Sequence, residues 1–559
     1  MVKNLINMLS REVGSLHQAA YLLGFFAVCS QILALFRDRI LASYFGAGNT
    51  LDLYYSAFRI PDIIFVLVAS VVSISVIIPF LVERMDKSES EAKNFIDTVF
   101  TFYFCFVLLS SVVAYIFSPY VLSKLFPLFF LSESFGELVN LTRILLLSPI
   151  LLGLSNLLGS ITQTHRRFFV YAVSPVVYNI GIIIGIVFFY PTFGISGLGY
   201  GVVLGALLHF AIQIPFIISI GMFPAFHFPI KFSFIKNIIY TSLPRTITVS
   251  SNEIAELFLI SFASFFVPGS VAIFNFSFNL QSVPFSIIGV SYSLAAFPTL
   301  TRLFSKGNRN EFIDQMISSS KHIIFWSIPA SVLFIVLRAQ IVRTILGAGR
   351  FNWDDTRLTA AALALFTVSL VAQNLVTLFV RSYYSQGKTK TPLFMNIISA
   401  FFLVYASFEL ISVFKDSTVF KYFMESILKV SDIPGTAVLM LPLGYSIGLF
   451  ISLIIHWAGF HIHFPGFSRP VFRTFFEVFG SSIIMGFVTY KVLELLGTLL
   501  NINTLLGIFM HGFLSGIVGI ISLVFVLYLL GSRELQEVWG TLHKKIWKVK
   551  AIAPDAELQ

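Results

Sequence analysis

Charged residues are scarce in this sequence of 559 residues: Asp, Glu, Lys and Arg together make up 11%, whereas hydrophobic residues make up 57%. A water-soluble protein of this length needs far more charge to cover its surface. Apolar runs of about 20 residues, the length that crosses a hydrocarbon core, recur from end to end. Because these runs are continuous and do not alternate in short segments, they indicate membrane-spanning helices and exclude a β-barrel.

Cysteine and the common catalytic motifs are also largely missing. The two cysteines, Cys29 and Cys105, lie within apolar segments, a pattern typical of buried hydrophobic residues and not of a disulfide framework or metal site. The sequence contains no HExxH, Walker A or GxGxxG motif and no polar segment long enough for an ATPase domain. We therefore expect a protein that is not an enzyme and has no metal site and no cofactor.

Charged, Gly/Pro-rich and short polar stretches divide the apolar sequence into about fourteen predicted spans. These spans lie at 17–44, 53–82, 94–119, 142–164, 169–190, 194–219, 236–265, 270–301, 322–342, 358–385, 391–413, 437–457, 473–496 and 505–531.

The distribution of Lys and Arg predicts the orientation of these spans. With the N-terminus inside, 22 of the 37 basic residues fall on cytoplasmic segments and 8 on the opposite side. Positive charge favours the cytoplasmic side during insertion, so we expect both ends inside. No cleavable signal is evident at the N-terminus. The formal net charge of +10 is then explained by topology and not by nucleic-acid binding.

A short internal repeat suggests how the spans are grouped. Residues 42–48 resemble residues 263–269, each at the end of one span and the start of the next, six spans apart. Parallel repeats are typical of transporters that bind substrate between two halves. We predict an N-terminal segment, two six-helix lobes, a C-terminal helix pair and a basic cytoplasmic tail, with the boundaries 1–16, 17–219, 236–457, 473–531 and 532–559.

Ionisable residues within spans are costly and usually face a cavity, a partner or the membrane interface. The triplet Arg37-Asp38-Arg39 fits either an interfacial cluster or the cationic wall of a cavity, where Arg would bind phosphate. Glu253 and Glu256 lie in mid-span, which favours a cavity. The predicted substrate-binding set is Arg37, Asp38, Asp52, Arg59, Arg245, Glu253 and Glu256.

Several motifs resemble, in order and spacing, those of the MviN/MurJ family, the bacterial lipid II flippases of the multidrug/oligosaccharidyl-lipid/polysaccharide exporter superfamily. They cover about the first 400 residues and comprise Phe36-Arg37-Asp38, Tyr44-Phe45-Gly46-Ala47-Gly48, Asp52, Ala57-Phe58-Arg59-Ile60-Pro61, Gly159, Phe168, Pro175, Asn179, Gly201-Val202-Val203-Leu204-Gly205, Gln213-Ile214-Pro215, Gly347-Ala348-Gly349-Arg350-Phe351, Asp355-Thr356, Thr359, Arg381-Ser382-Tyr383-Tyr384 and Thr389-Lys390-Thr391-Pro392.

This resemblance implies two lobes around a cationic cavity and two further helices that form a groove for a lipid tail. It implies a monomeric flippase in the bacterial cytoplasmic membrane that moves lipid II outward by alternating access. The partners expected from it are a lipid-linked glycan and membrane lipids, with a monovalent cation as the candidate coupling ion.

The sequence departs from the family pattern at positions where the family carries arginines. Gln31, Phe65 and Asn279 replace them, so Arg37 is the one clearly retained, with Arg39, Arg59 and Arg245 as candidates to compensate. The loop near 414–436 is also longer than expected.

Three alternative functions stay open at this point. The missing arginines favour a flippase for another polyprenyl-linked oligosaccharide. A small-cation drug antiporter would suit the intramembrane carboxylates. A non-transporting envelope scaffold would have no need of them.

Overall fold

The computed structural model describes residues 16–69, 74–165, 167–229 and 232–547, and within these ranges the chain consists of helices and turns without a strand. This confirms the predicted all-α fold class. The predicted N-terminal segment up to residue 15 and the end of the tail from residue 548 lie outside the described residues.

The helices of the first half of the chain include several that break and resume within one or two residues. They are α1 (Leu16–Phe45), α2 (Asn49–Ala57), α3 (Arg59–Ala69), α4 (Ile74–Met85), α5 (Glu89–Leu125), α6 (Pro127–Phe130), α7 (Phe135–Leu145), α8 (Leu147–Thr164), α9 (Phe168–Ile184), α10 (Tyr190–Phe193), α11 (Ile195–Ala211), α12 (Ile214–Ser219) and α13 (Phe232–Ala263).

The remaining described helices lie in the second half of the chain. They are α14 (Ser270–Pro284), α15 (Ser291–Ser305), α16 (Arg309–Val336), α17 (Arg338–Leu346), α18 (Trp353–Val368), α19 (Leu370–Ser385), α20 (Lys390–Asp416), α21 (Thr418–Leu428), α22 (Met440–His463), α23 (Ser468–Leu499), α24 (Leu505–Leu529) and α25 (Arg533–Trp547).

Among the described residues, ten helical segments are long and apolar enough to cross a membrane, or eleven if the bent pair α18–α19 forms one span. The chain is therefore a polytopic membrane protein. Helices occupy each of the fourteen predicted positions, but the number of fourteen spans stays a prediction. The predicted span 53–82 differs in form, because α2 ends at Ala57 and α3 begins at Arg59.

The chain packs into two compact units, each made of segments distant in sequence. The first contains Met1–Val283, Val342–Phe366 and Lys388–Ser452, and the second contains Pro284–Ile341, Thr367–Gly387 and Leu453–Gln559. The predicted boundaries of the two lobes, the C-terminal pair and the tail stay predictions.

Two helices of the first unit, α9 and α11, pack through glycines at very short range. A methyl group at Gly181 of α9 would lie 2.3 Å from the Cα of Gly205 of α11. One at Gly201 of α11 would lie 2.4 Å from the Cα of Gly185, the residue that follows α9. Small residues let helix backbones approach closely in membranes, where packing replaces the hydrophobic effect between helices. The glycines at these spacings therefore set the distance between α9 and α11.

In the second unit, α23 and α24 pack against each other, and α23 packs against α16. Gly486 of α23 faces Val332 of α16, and Gly519 of α24 faces Thr489 of α23. Met485 and Leu527 are fully buried in the same core. The two C-terminal helices are thus part of a packed unit and not an isolated hairpin.

The last described helix, α25, is attached to this unit through buried Glu534. Its carboxylate accepts a hydrogen bond from Thr474 (2.9 Å) and pairs with the Nζ of Lys321 (3.3 Å). Burial raises the pKa of Glu534, but hydrogen bonds, from Thr474 among others, and the charge of Lys321 outweigh burial, so the pKa lies below its ordinary value. The carboxylate is therefore charged at neutral pH and links α25 to α16 and α23.

The glycine contact between α9 and α11 predicts a loss of stability for Gly201→Ala. The added methyl group cannot fit 2.4 Å from a backbone atom, and forcing it in costs about 1–3 kcal/mol. Gly480→Ala is the matched control, because a methyl group there meets no atom within 4 Å. Thermal unfolding in detergent should show a lower midpoint for Gly201→Ala alone; equal midpoints would contradict this packing.

The contacts of Glu534 predict an acid-dependent release of α25. Since the folded pKa lies below the ordinary value of about 4.3, the stabilisation is complete above that pH and is lost as the pH falls through the lowered pKa. A nitroxide label at exposed Trp539 should become more mobile only at a pH below the ordinary pKa of a glutamate. The same label in a Glu534→Gln variant should show no such transition. A transition of equal size in both would assign the release to another group.

Candidate functional site

Arg37 and Asp38 form an ion pair in the last third of α1. The Nη2 and Nε atoms of Arg37 lie 2.7 and 3.0 Å from the same Oδ1 of Asp38. Asp38 is buried, while the side chain of Arg37 is 19% exposed. A charge among apolar helices needs an opposite charge beside it, and here the next residue in the chain supplies it.

Two asparagines from other helices form hydrogen bonds with this ion pair. Asn179 of α9 accepts from Nη1 of Arg37 (3.1 Å), and Asn279 of α14 donates to Oδ2 of Asp38 (3.1 Å). Asn279 is one of the three positions where the family pattern predicts arginine. In this chain the neighbour of Asp38 from α14 is thus neutral, and Arg37 and Asp38 balance each other.

A second charged cluster lies at the start of α3. Nη1 of Arg59 lies 2.7 Å from Oε1 of Glu256 of α13, and Nη2 lies 3.7 Å from Oδ2 of Asp62. Glu253 lies one helical turn before Glu256 and on the same side of α13. Arg59 is thus paired with Glu256 and approached by Asp62. With Glu253 on the same side of α13, the three carboxyl groups exceed the one guanidinium by two negative charges when all of them are ionised.

Tyr55 connects the two clusters. Its backbone carbonyl accepts a hydrogen bond from Nε of Arg59 (3.2 Å). Its buried phenol lies near Arg37, Asp38 and Arg59. The structure therefore brings together five of the predicted site residues, with Glu253 the one assigned by helix position and not by a direct contact.

The other basic candidates have different outcomes. Arg39 donates to the carbonyl oxygens of Thr344 and Ile345 in the last turn of α17 (2.7 and 3.1 Å), a contact typical of a helix C-terminus. Arg39 is therefore engaged in holding α17. The side chain of Arg245 lies outside the described residues, so its predicted role stays a prediction.

The carboxylate of Asp52 contacts the backbone at the start of another helix, α14. Its buried carboxylate accepts from the backbone N–H of Gly269 (2.5 Å) and of Ala272 (2.8 Å), at the N-terminus of α14, where backbone donors lack helical partners. Gly269 has φ +96°, and a methyl group there would lie 2.1 Å from the carbonyl oxygen of Ala47, so only glycine fits.

A further set of backbone contacts lies beside this cap. The N–H of Arg350 donates to the carbonyl of Ser43 (2.9 Å), and the N–H of Ala47 donates to the carboxylate of Asp355 (3.4 Å). We call the contacts of residues 43–52 with 264–272 and with 344–355 the junction. The two halves of the sequence repeat, 42–48 and 263–269, thus touch each other within it.

The predicted set omits residues that the structure places at these sites. Asp62 completes the Arg59 cluster, Asn179 contacts Arg37, and Asp355 joins the junction. Asn179 and Asp355 belong to the family motifs, which is the signal that could have identified them. Within the described residues, no group of three or more His, Cys, Asp or Glu side chains is arranged to hold a metal ion.

Comparison with known proteins supports the resemblance drawn from the motifs. The family model described as lipid II flippase MurJ matches residues 41–510. The probable lipid II flippase MurJ of Buchnera aphidicola subsp. Acyrthosiphon pisum is 28% identical over 370 residues, which cover 65% of this chain and 72% of that protein. The lipid II flippase MurJ of Burkholderia cenocepacia is 23% identical over 375 residues, covering 66% and 73%.

Solved structures share the fold. A lipid II flippase MurJ in an inward closed conformation has a TM-score of 0.72 at 23% identity, covering 91% of this chain and 98% of that one. An inward-facing multidrug resistance MATE family transporter has a TM-score of 0.63 at 17% identity, covering 78% and 96%. At these identities the likeness shows the fold alone. The family model, which matches most of the chain, shows that this protein belongs to the lipid II flippase MurJ family.

Proposed function

We propose that this protein translocates lipid II, the undecaprenyl-pyrophosphate-linked precursor of peptidoglycan, across the bacterial cytoplasmic membrane by alternating access. Membership of the MurJ family supports the substrate class. The transporter fold shared with MATE proteins supports the mechanism. In this proposal both ends of the chain face the cytoplasm, the protein acts as a monomer and it performs no catalysis.

The proposal rests on the partial exposure and the remaining N–H donors of Arg37. Among the described contacts its guanidinium uses three of its five N–H groups on Asp38 and Asn179. Two N–H groups are left for a phosphate, which arginine binds through its planar fork of donors. The partial exposure of this side chain keeps those groups within reach of a ligand.

The balance of charge beside Arg37 supports a second candidate, a flippase for another polyprenyl-linked oligosaccharide. Asp38 neutralises Arg37, and Asn279 adds a hydrogen bond but no charge. Each lost charged hydrogen bond weakens phosphate binding by about 1.5–3 kcal/mol. A lipid that relies more on its sugars than on its pyrophosphate would suit this site better.

The cluster around Arg59 supports coupling to a monovalent cation. Its excess of carboxylates attracts a cation and repels a phosphate, so we assign Asp62, Glu253 and Glu256 to coupling and Arg37 to the substrate. Asp52, whose contacts are with backbone amides, belongs to the moving junction in this proposal. Exposed apolar side chains of α23 and α24, such as Phe487 and Leu506, are suited to hold the lipid tail.

Replacement of Arg37 tests the proposed function directly. In a conditional strain depleted of its own lipid II flippase, the intact protein should restore growth, whereas Arg37→Gln should not, because two donors to phosphate and the charge are lost. Lys491→Gln, which changes an exposed lysine of α23, is the matched control and should restore growth. With all proteins confirmed in the membrane, failure of the intact chain would favour the other polyprenyl-linked glycan. Rescue by Arg37→Gln would remove Arg37 from the substrate site.

The Arg59–Glu256 pair gives a separate prediction about stability. Glu256→Gln leaves a largely buried guanidinium without its nearest counter-charge and should cost about 1.5–3 kcal/mol of stability. The double exchange Arg59→Glu with Glu256→Arg should recover part of this loss in thermal unfolding. Exchanging the exposed pair Lys491 and Glu494 is the control and should change little. A double exchange no more stable than Glu256→Gln would contradict the pairing.

A further inference from the structure

A short amphipathic helix, α21, lies in the long loop between α20 and α22. One residue, Ser417, separates α21 from α20. The hydroxyl of Ser417 accepts a hydrogen bond from the N–H of Phe420 (3.3 Å) and so forms the N-cap of α21. One side of α21 is buried through Met424, Glu425 and Leu428. This side packs against the protein and fixes which residues point outward.

The outward side of α21 is strongly apolar. Val419, Tyr422, Phe423 and Ile427 follow one another at helical spacing and share a face. Their side chains are 81%, 63%, 59% and 60% exposed. Large contiguous apolar surfaces facing water are rare and mark a site of contact with a partner or a membrane.

This apolar face continues the membrane-facing surface of α20. Only 22% of the most apolar stretch of α20 is buried inside the protein, and Tyr405, Phe408 and Val413 are exposed along it. The rings of Phe414 in α20 and Phe420 in α21 pack at 6.3 Å. The exposed surface therefore passes from a spanning helix to α21 where the span ends.

Specific contacts hold the segment that follows α21. Arg357 of α18 binds both carboxylate oxygens of Asp432 (2.5 and 2.7 Å) and the carbonyl of Lys429 (2.6 Å). Buried Glu425 accepts from the hydroxyl of Thr436 (2.6 Å). The Arg357 contacts attach the segment after α21 to α18, and the bond between Thr436 and Glu425 attaches it to α21, so the direction of the apolar face is set by the fold.

We infer that α21 is an interfacial helix whose Val419, Tyr422, Phe423 and Ile427 face is buried in the lipid at the boundary between headgroups and acyl chains. Continuity with the lipid-facing side of α20 identifies lipid as the occupant. Amphipathic helices of this kind lie in the plane of the interface with the apolar side about 5–10 Å deep, and tyrosine is frequent at that level. The inference is independent of which substrate is transported.

Spin labels on the two sides of α21 test this inference. Cys29 and Cys105 are first replaced by serine, and a nitroxide is then attached at Val419→Cys or Phe423→Cys. Lys421→Cys, on a different side of the same helix, is the matched control. In phospholipid nanodiscs, collision rates with oxygen, which partitions into lipid, are compared with those of a water-soluble nickel chelate.

The inference predicts that oxygen reaches positions 419 and 423 several-fold better than the nickel chelate does, with the reverse order at position 421. Equal access of the chelate to all three positions would place the helix in water and overturn the inference. Exclusion of both reagents from 419 and 423 would place a protein partner or a second copy on this face and overturn it too.

A second variant tests the position of α21 without a spin label. Tyr422→Trp keeps an aromatic ring, and its fluorescence, after subtraction of the signal of the unaltered chain, should be quenched more by lipids brominated near the headgroup than by lipids brominated near the chain ends. No quenching by either lipid would contradict an interfacial position.

Discussion

The carboxylate of Asp52 and the amides of Gly269 and Ala272 join two parts of the chain that are more than two hundred residues apart. The carboxylate provides acceptors for backbone donors at the N-terminus of α14 and also interacts favourably with the dipole of that helix. Since Asp52 follows α1 by only seven residues, this contact fixes the end of α1 relative to α14. The bond between Asn279 and Asp38 joins the same two helices, α14 and α1.

Neutralisation of charge is the second constraint on the site. A charge buried among apolar helices is stable only with a partner, and the described contacts pair Arg37 with Asp38 and Arg59 with Glu256. Arg39 holds the end of α17, and Arg59 is paired with Glu256. Arg37 combines partial exposure with two N–H groups beyond its described contacts, which is why the proposed substrate role rests on this residue.

The sequence predicts the helices and the membrane location well, because both follow from long apolar runs that depend on neighbouring residues only. It also identifies Arg37, Asp38 and Glu256 as unusual, since a charge within a span needs a reason. It does not predict partners: the pairing of Arg59 with Glu256 spans 197 positions, and the cap formed by Asp52 requires knowing that two loops meet. The break at Phe58 within the predicted span 53–82 likewise depends on tertiary packing, which hydrophobic periodicity does not record. The same is true of the orientation of α21.

Alternating access requires the junction to open, and a reversible covalent link across it tests this claim most directly. With Cys29 and Cys105 replaced by serine, Ala47→Cys and Asp355→Cys can be joined by a short thiol-reactive reagent, since the amide of Ala47 lies 3.4 Å from the Asp355 carboxylate. Transport of a lipid-linked glycan by the reconstituted double variant should stop on cross-linking and return on reduction to its level before cross-linking, and the reagent should not change the transport of either single cysteine variant. Undiminished transport by the fully cross-linked protein would contradict the account.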